Sequence, residues 1–363
     1  MKNLLITGGA GFIGSNFIRH ILQLKPDVFI TNLDALTYAG NLVNLSDLPD
    51  SANYEFVHGN INDTKLLKTI FNDKKIDTVV NFAAESHVDR SILNPAAFVE
   101  TNILGTYSLL NVAHEAWKHR MNSVGGEEFR FHHISTDEVY GSLQPDDTPF
   151  NEYSRYDPRS PYSASKASSD HLVRAYHHTY HLPITITNCS NNYGPYQHPE
   201  KFIPMMIINA IQGKRLPIYG DGLQVRDWIH VSDHCEAIYR VLLNGLNGAT
   251  YNLGSGSEHT NLEIAGLICD TLDTLLPNSV GESRQKLLQH IPDRPGHDRR
   301  YAMDITFVKE NLGWQPAISL TDGIMQTVKW YLEHIHWIEE ITKNADFSRW
   351  VQLNYDGRDE RTI

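Results

Sequence analysis

A short apolar run, Asn3-Leu4-Leu5-Ile6-Thr7, passes directly into Gly8-Gly9-Ala10-Gly11-Phe12-Ile13-Gly14 and then into a helical pattern from Ser15 to about Leu24. No other stretch constrains the fold as strongly. Gly8, Gly11 and Gly14 have the spacing Gly-x-x-Gly-x-x-Gly. Glycines permit a tight turn and let backbone N–H groups approach a pyrophosphate at a helix N-terminus. Such a motif is weak by itself. Between a strand and a helix it is informative, and it predicts the opening unit of a parallel α/β sheet.

The next segments repeat that unit. A second strand, Val28 to Leu33, ends at Asp34, twenty residues after Gly14. An acidic residue there can hold the adenosine ribose hydroxyls of NAD. No arginine follows at once to take a 2′-phosphate, which favours NAD over NADP. A third strand (Tyr54–His58), a helix (Thr64–Asn72) and a fourth strand (Thr78–Phe82) come next, then Ala83 and Ala84, small enough for close passage of a dinucleotide. A helix is expected over Pro95–His119. The alternation predicts an α/β fold with a Rossmann-type doubly wound parallel sheet.

The run Phe129 to Ile134 reads as a buried strand, and Ser135-Thr136-Asp137-Glu138 follows it. In open α/β sheets ligands sit beyond the carboxyl ends of the strands. Thr136, Asp137 and Glu138 therefore place a hydroxyl and two candidate acid/base groups at a crevice. A loop rich in Pro and Asp spans 142–160, and Tyr162 and Lys166 open a long helix that runs to about His181. Four residues apart means one helix face. An ammonium beside a phenol lowers the phenol's pKa, which would make Tyr162 a usable base.

After a strand at Ile184–Asn188 the texture changes to short elements broken by Pro and Gly. This predicts a second, smaller α/β domain for substrate. The boundaries are 1–190 for the cofactor domain, with 228–253 returning to it, and 191–363 for the other. Lys201, Arg226 and Arg294 are candidates to neutralise a diphosphate. The last helix, Leu320 to about Ile341, is amphipathic and reads as core packing.

Composition closes off other classes. A net charge of −12 over 363 residues argues against nonspecific nucleic-acid binding. No apolar run approaches the ~20 residues of a membrane helix. The apolar start is too short for a signal peptide. Cys189, Cys235 and Cys269 lie far apart without metal-like spacing and read as reduced thiols of a cytoplasmic protein, with no metal expected.

The motifs Thr7–Gly14, Ala83–Ser91, Ser135–Gly141, Ser160–Asp170, Asn188–Pro195 and Asp293–Arg300 resemble those of the dTDP-glucose 4,6-dehydratases in the extended short-chain dehydrogenase/reductase superfamily. The resemblance covers essentially the whole chain. The Asp-Glu pair before Val-Tyr-Gly is its specific part, since epimerase relatives generally lack it. The resemblance implies a lyase of nucleotide-sugar and deoxysugar metabolism, with Thr136, Asp137, Glu138, Tyr162 and Lys166 as catalytic residues. It implies NAD contacts at Phe12, Ile13, Asp34, Leu36, Thr37, Asn60, Ile61, Ala83, Ala84, Thr101, Tyr162, Lys166 and Asn192. The sugar nucleotide, dTDP-glucose, would meet Ser86, Thr136, Asn191, Lys201, Phe202, Pro217, Tyr219, Arg226, Asn261, Arg294, His297 and Tyr355. A homodimer through 95–119 and 161–181 is implied as well. Asn60 departs from the family's usual Asp. Two rivals stand beside this reading: a UDP-sugar 4-epimerase or decarboxylase of the same fold, and a non-catalytic NAD-sensing protein. The residues alone leave dTDP, UDP and CDP open.

Overall fold

The fold is taken from a computed structural model that describes residues 1–48, 52–121, 128–277, 281–293, 296–343 and 349. Seven parallel strands form the main sheet: β1 (Asn3–Thr7), β2 (Phe29–Asp34), β3 (Tyr54–His58), β4 (Thr78–Asn81), β5 (Arg130–Thr136), β6 (Ile184–Cys189) and β10 (Thr250–Leu253). Their order is β10-β6-β5-β4-β1-β2-β3. The direction of winding reverses between β1 and β4, and a crevice opens there at the carboxyl ends of the strands.

Helices cover both faces. On one, α1 (Phe12–Leu24) packs against α8 (Val231–Asn244) through Phe17, Ile18, Ile21, Cys235 and Ile238. On the other, α2 (Thr64–Asp73), α5 (Thr106–Trp117) and α6 (Pro161–Tyr180) bury Leu67, Phe71, Leu109, Trp117 and Val173. Local chemistry fixes the ends. The Asp63 carboxylate accepts from Lys65 N and Leu66 N at the start of α2. Ser160 and Ser163 form a capping box ahead of α6, with Pro161 in the first turn and His181 left-handed at the end.

A second body of structure lies beyond the carboxyl edge. It holds β7 (Asn191–Tyr193), β9 (Val225–His230) and β11 (Glu258–Thr260) in one sheet, and β8 (Leu216–Tyr219) with β12 (Leu288–Ile291) in another. Its core joins α7 (Phe202–Ile211), α9 (Asn261–Leu275) and α11 (Leu320–Glu333) around Ile207, Trp228, Ile268, Leu272, Val328 and Tyr331. α10 (Thr306–Leu312) packs on the β10 side.

Several expected elements are modified. α1 starts at Phe12 rather than Ser15. β5 runs two residues past Ile134, so Thr136 is its last residue and caps the short 3₁₀ turn Asp137–Tyr140. The helix expected over 95–119 is three pieces: α4 (Pro95–Phe98), a π-helical segment Val99–Gly105, and α5; α3 (Val88–Leu93) precedes it. In the wide turn the buried Asn102 carboxamide accepts from Glu85 N at 2.9 Å and donates to Glu85 O at 3.0 Å. The final helix divides into α11 and α12 (Ile335–Thr342) at His334, whose ring stacks on Trp330 at 4.3 Å. Trp337, Ile338 and Ile341 are buried there, in keeping with core packing. All three cysteines are free and buried.

Candidate active site

The carboxyl ends of β1, β2, β4, β5 and β6 converge on a cavity of about 300 Å³. Its floor is the glycine turn. Gly8 has φ +71°, and a Cβ there would lie 2.7 Å from Ala83 N, on the loop after β4. A Cβ on Gly14 would lie 2.4 Å from Gly8 O. Only glycine lets β1, β4 and α1 close to this distance. Asp34 ties the turn to β2: its carboxylate accepts from Ala10 N at 2.9 Å and Leu36 N at 2.8 Å. Burial raises its pKa and these two bonds oppose the rise. Two of its lone-pair positions remain for a ribose.

The residues fit a dinucleotide on these observations. The first turn of α1 presents N–H groups that lack intrahelical partners, the glycines leave room for a pyrophosphate, and Ala83 and Ala84 line the adjoining wall. Phe12, Ile13, Thr37, Asn60, Ile61, Thr101 and Asn192 also line the cavity. Leu36 does not; it is a left-handed residue, φ +52°, whose N–H goes to Asp34. The Asn60 side chain accepts from Asn62 N at 2.8 Å, which leaves its amide NH₂ available.

The chemistry sits at the end of β5. Thr136 Oγ1 donates to Asp137 Oδ1 at 3.1 Å and accepts from Glu138 N at 3.3 Å. Asp137 is 2% exposed. Burial, and then the neighbouring Glu138 charge, hold its carboxyl well above the ordinary carboxylate range. Both causes favour the protonated form that an acid requires. Tyr162 and Lys166, from the first turns of α6, complete the wall with Glu138. Asp137 Oδ2, Ser190 Oγ, Asn191 Oδ1 and Gln197 Oε1 are buried, without protein partners, and belong to residues that line the cavity. Unpartnered buried polar atoms gathered in one cavity mark a binding surface.

One expectation fails here. Lys166 was expected to lower the pKa of Tyr162. Its ammonium instead donates to Ile134 O at 2.7 Å and lies 3.5 Å from His133 Nε2. The Tyr162 phenol is pushed well up, first by burial and then by Glu138, with a hydrogen bond to Thr136 opposing. A shared helix face does not fix which way a long side chain turns once a buried carbonyl competes for it.

The residues expected at the sugar nucleotide divide. Ser86, Thr136, Asn191 and Lys201 line the cavity. Phe202, Pro217, Tyr219, Arg226, Asn261 and His297 lie in the second body, off the lining. Arg226 is 4% exposed, donates to Val225 O and Asp298 O, and lies 4.3 Å from the Tyr301 ring centre. Arg294 and Tyr355 fall outside the described residues. Cys189, Ser190, Gln197, His198 and Glu85 line the cavity and were not foreseen. Cys189 and Ser190 end or follow β6, so the strand-end rule could have found them. Gln197 and His198 arrive on the loop after β7 and carry no sequence signal.

A Rossmann-type sheet with a dinucleotide crevice, and a Tyr-x-x-x-Lys pair beside a strand-end Thr-Asp-Glu, define an extended short-chain dehydrogenase/reductase. The GDP-mannose 4,6 dehydratase family pattern matches residues 5–327. The dTDP-glucose 4,6-dehydratase of Salmonella typhimurium is 51% identical over 367 residues, covering 98% of this chain and 99% of its own. That of Streptomyces venezuelae, solved with NAD bound, is 45% identical with a TM-score of 0.85, covering 93% of this chain and 99% of that one. The UDP-glucose 4-epimerase of Thermotoga maritima shares the fold at a TM-score of 0.80 but only 27% identity, covering 92% and 99%. The chain belongs to the dTDP-glucose 4,6-dehydratase family.

Proposed function

We propose that this chain is an NAD-dependent enzyme that converts dTDP-glucose to dTDP-4-keto-6-deoxyglucose and water. The observation that carries the reading is the buried Asp137 carboxyl, which its surroundings bias toward the protonated form, beside Glu138 at one end of a dinucleotide crevice. Simple alcohol oxidation or epimerisation needs no such pair. NAD, when bound, would supply the hydride acceptor for sugar carbon 4 and the hydride donor for carbon 6. Gly8, Gly11, Phe12, Ile13, Gly14, Asp34, Thr37, Asn60, Ile61, Ala83, Ala84, Thr101 and Asn192 would hold it.

Tyr162 would take the proton of the 4-hydroxyl; burial and Glu138 disfavour its phenolate, and the Lys166 ammonium and the positive ring of bound NAD are the charges that would favour it. Glu138 takes the carbon-5 proton that the 4-ketone has acidified and gives it back to carbon 5 when hydride reaches carbon 6. Asp137 gives its proton to the 6-hydroxyl, which leaves as water. Two adjacent carboxylates serve because their environments differ, and the more buried one keeps its proton.

Residues 1–190, joined by 228–253, would form the cofactor half and the remainder the sugar half. A homodimer is proposed through the helices at 95–119 and 161–181. Leu93, Val99, Leu104, Tyr107 and Tyr180, at the surface of this region, are 46–57% exposed. Such a row of apolar side chains suits a partner. Among the described residues no helix is long and apolar enough to cross a membrane, and a cytoplasmic location is proposed. Incubation with dTDP-glucose and UDP-glucose in parallel, with the product weighed by mass spectrometry, tests the function. Loss of water from the dTDP sugar is expected; products of unchanged mass would sink the reading.

A further inference from the structure

Behind Tyr162 and Lys166 lies a buried polar group that the reaction above leaves unused. The Asp170 carboxylate, one turn beyond Lys166 on α6, is 0% exposed. Its Oδ2 accepts from Ser135 Oγ at 2.7 Å and from the Tyr156 hydroxyl at 2.9 Å. Tyr156 itself accepts from Arg174 at 2.7 Å and Asn188 at 3.0 Å, so its own proton goes to Asp170. The His133 ring, on β5, stands between the two charged groups. Its Nε2 is 3.5 Å from Lys166 Nζ and 3.4 Å from Asp170 Oδ1.

The surrounding network assigns the protons. Asn81 Oδ1 accepts from Thr7, and its NH₂ faces His133 Nδ1 at 3.2 Å. Nδ1 is therefore the acceptor, and the ring's proton is on Nε2, bonded to Ser169 Oγ, with Asp170 Oδ1 close by but not hydrogen-bonded. Lys166 and Arg174 are the cations that face Asp170. Tyr140, also near, spends its hydroxyl on Asn252 Oδ1 at 2.9 Å. On the far side Cys189 faces Lys166, with its thiol turned to Ser135 O at 3.3 Å. Burial pushes the Asp170 carboxyl up from its ordinary value, and Lys166, Arg174 and the bonds from Ser135 and Tyr156 oppose the rise and favour the anion.

We propose that Asp170 is a positioning residue for the oxidation step: its buried carboxylate, with the His133 ring between, keeps Lys166 charged and pinned to the Ile134 carbonyl behind Tyr162. Burial pulls the Lys166 ammonium down, and Asp170 is the first of the charges that oppose this. No direct bond is needed. In a water-free interior the field of one anion, a helical turn away, decides whether a lysine keeps its proton. The inference rests on Tyr162 and Lys166 serving the oxidation proposed above.

Two measurements on the full-length holoenzyme test it. The first is the appearance of reduced nicotinamide in a single turnover of dTDP-glucose, followed against pH; this step does not use Asp137. Asp170→Asn should move the alkaline limb down by about one pH unit or more while the acid-side plateau is kept. A uniform loss with the limb unmoved, as from a damaged strut, overturns the proposal. The second is thermal unfolding of Asp170→Asn, Lys166→Met and the double variant, which needs no activity. Removing one member of a buried charge pair destabilises more than removing both. The double variant should therefore be more stable than Asp170→Asn, and should fold even where that single variant does not. A double variant no more stable than Asp170→Asn, or one that fails to fold beside it, overturns the proposal. Failure of the wild-type chain to dehydrate dTDP-glucose would instead count against the function and leave the unfolding result standing.

Discussion

The sheet side of the crevice and the side built from the small sheets hold their ionisable groups in different ways. On the sheet side, Asp137 Oδ2 and Ser190 Oγ are buried at the cavity without a protein partner. On the other side, two of the cations nominated for a diphosphate are engaged by the protein itself: Lys201 donates to Ser86 O at 2.9 Å and Arg226 to Asp298 O at 2.8 Å. The difference teaches where rigidity is used. Groups that move protons are fixed in advance by strands and a capped helix. Groups that grip the charged end of the substrate must exchange a protein acceptor for a ligand one. Substitutions should accordingly lower kcat on the first side and raise KM on the second.

The largest effects should come from the sheet side. Glu138→Gln should lower turnover by about 10²–10⁴-fold. It should still allow oxidation at carbon 4 while abolishing exchange of the carbon-5 proton with solvent deuterium. Normal exchange in that variant would take the base role from Glu138. Asp137→Asn should lose dehydration on a similar scale and separates chemistry from stability. Burial holds the folded carboxyl's pKa above its ordinary value of 3.8. The folded chain thus keeps a proton that the unfolded chain gives up. The stability this contributes is full below the unfolded value and is lost as pH rises through the folded one. The asparagine variant should unfold at a higher temperature than its parent at alkaline pH, with the gap closing on acidification. A parent equally stable at alkaline pH would show that the carboxyl is not held neutral.

On the opposite side, Lys201→Met should raise KM for dTDP-glucose about tenfold, the worth of one charged hydrogen bond, and leave kcat nearly unchanged. A kcat loss larger than the KM change would erase the distinction between the two sides. The smallest effect tests how the sides are joined. Trp337 Nε1 of α12 donates to Asn44 Oδ1 at 2.8 Å, and Asn44 Nδ2 donates to Ala10 O, in the glycine turn, at 2.8 Å. Trp337→Phe removes one neutral hydrogen bond of about 1 kcal/mol. It should weaken NAD retention a few-fold in a dialysis assay, with the sugar's KM unmoved. Unchanged retention would mean that the final helix does not reach the cofactor turn.

Much of this was legible in the sequence, and the parts that were not share a cause. The glycine turn, Asp34, the strand ending at Thr136 and the capped start of α6 are local signals. The π-helical segment at 99–105 was not readable, because Asn102 answers to Glu85, seventeen residues away. The break at His334 depends on a ring stacked one turn back. Gln197 reaches the cavity from a loop whose composition says nothing of its neighbours. The Lys166 expectation failed for the same reason: helix spacing gave the right face, but Ile134 and His133, from β5, took the ammonium.

The sequence by itself determined the parallel sheet, the dinucleotide turn and the kinds of group at the end of β5. Glycine sterics, strand and helix periodicity and the reach of a helix cap all act within a few residues. Only the tertiary structure decided which of those groups keeps its proton. The Asp137 carboxyl is pushed toward its protonated form because the fold excludes water from it and sets Glu138 alongside. Lys166 faces the Asp170 carboxyl because strand β5 and helix α6 bring it against His133 and Ser135. Desolvation and Coulomb interaction act through space, between residues that the chain order keeps apart.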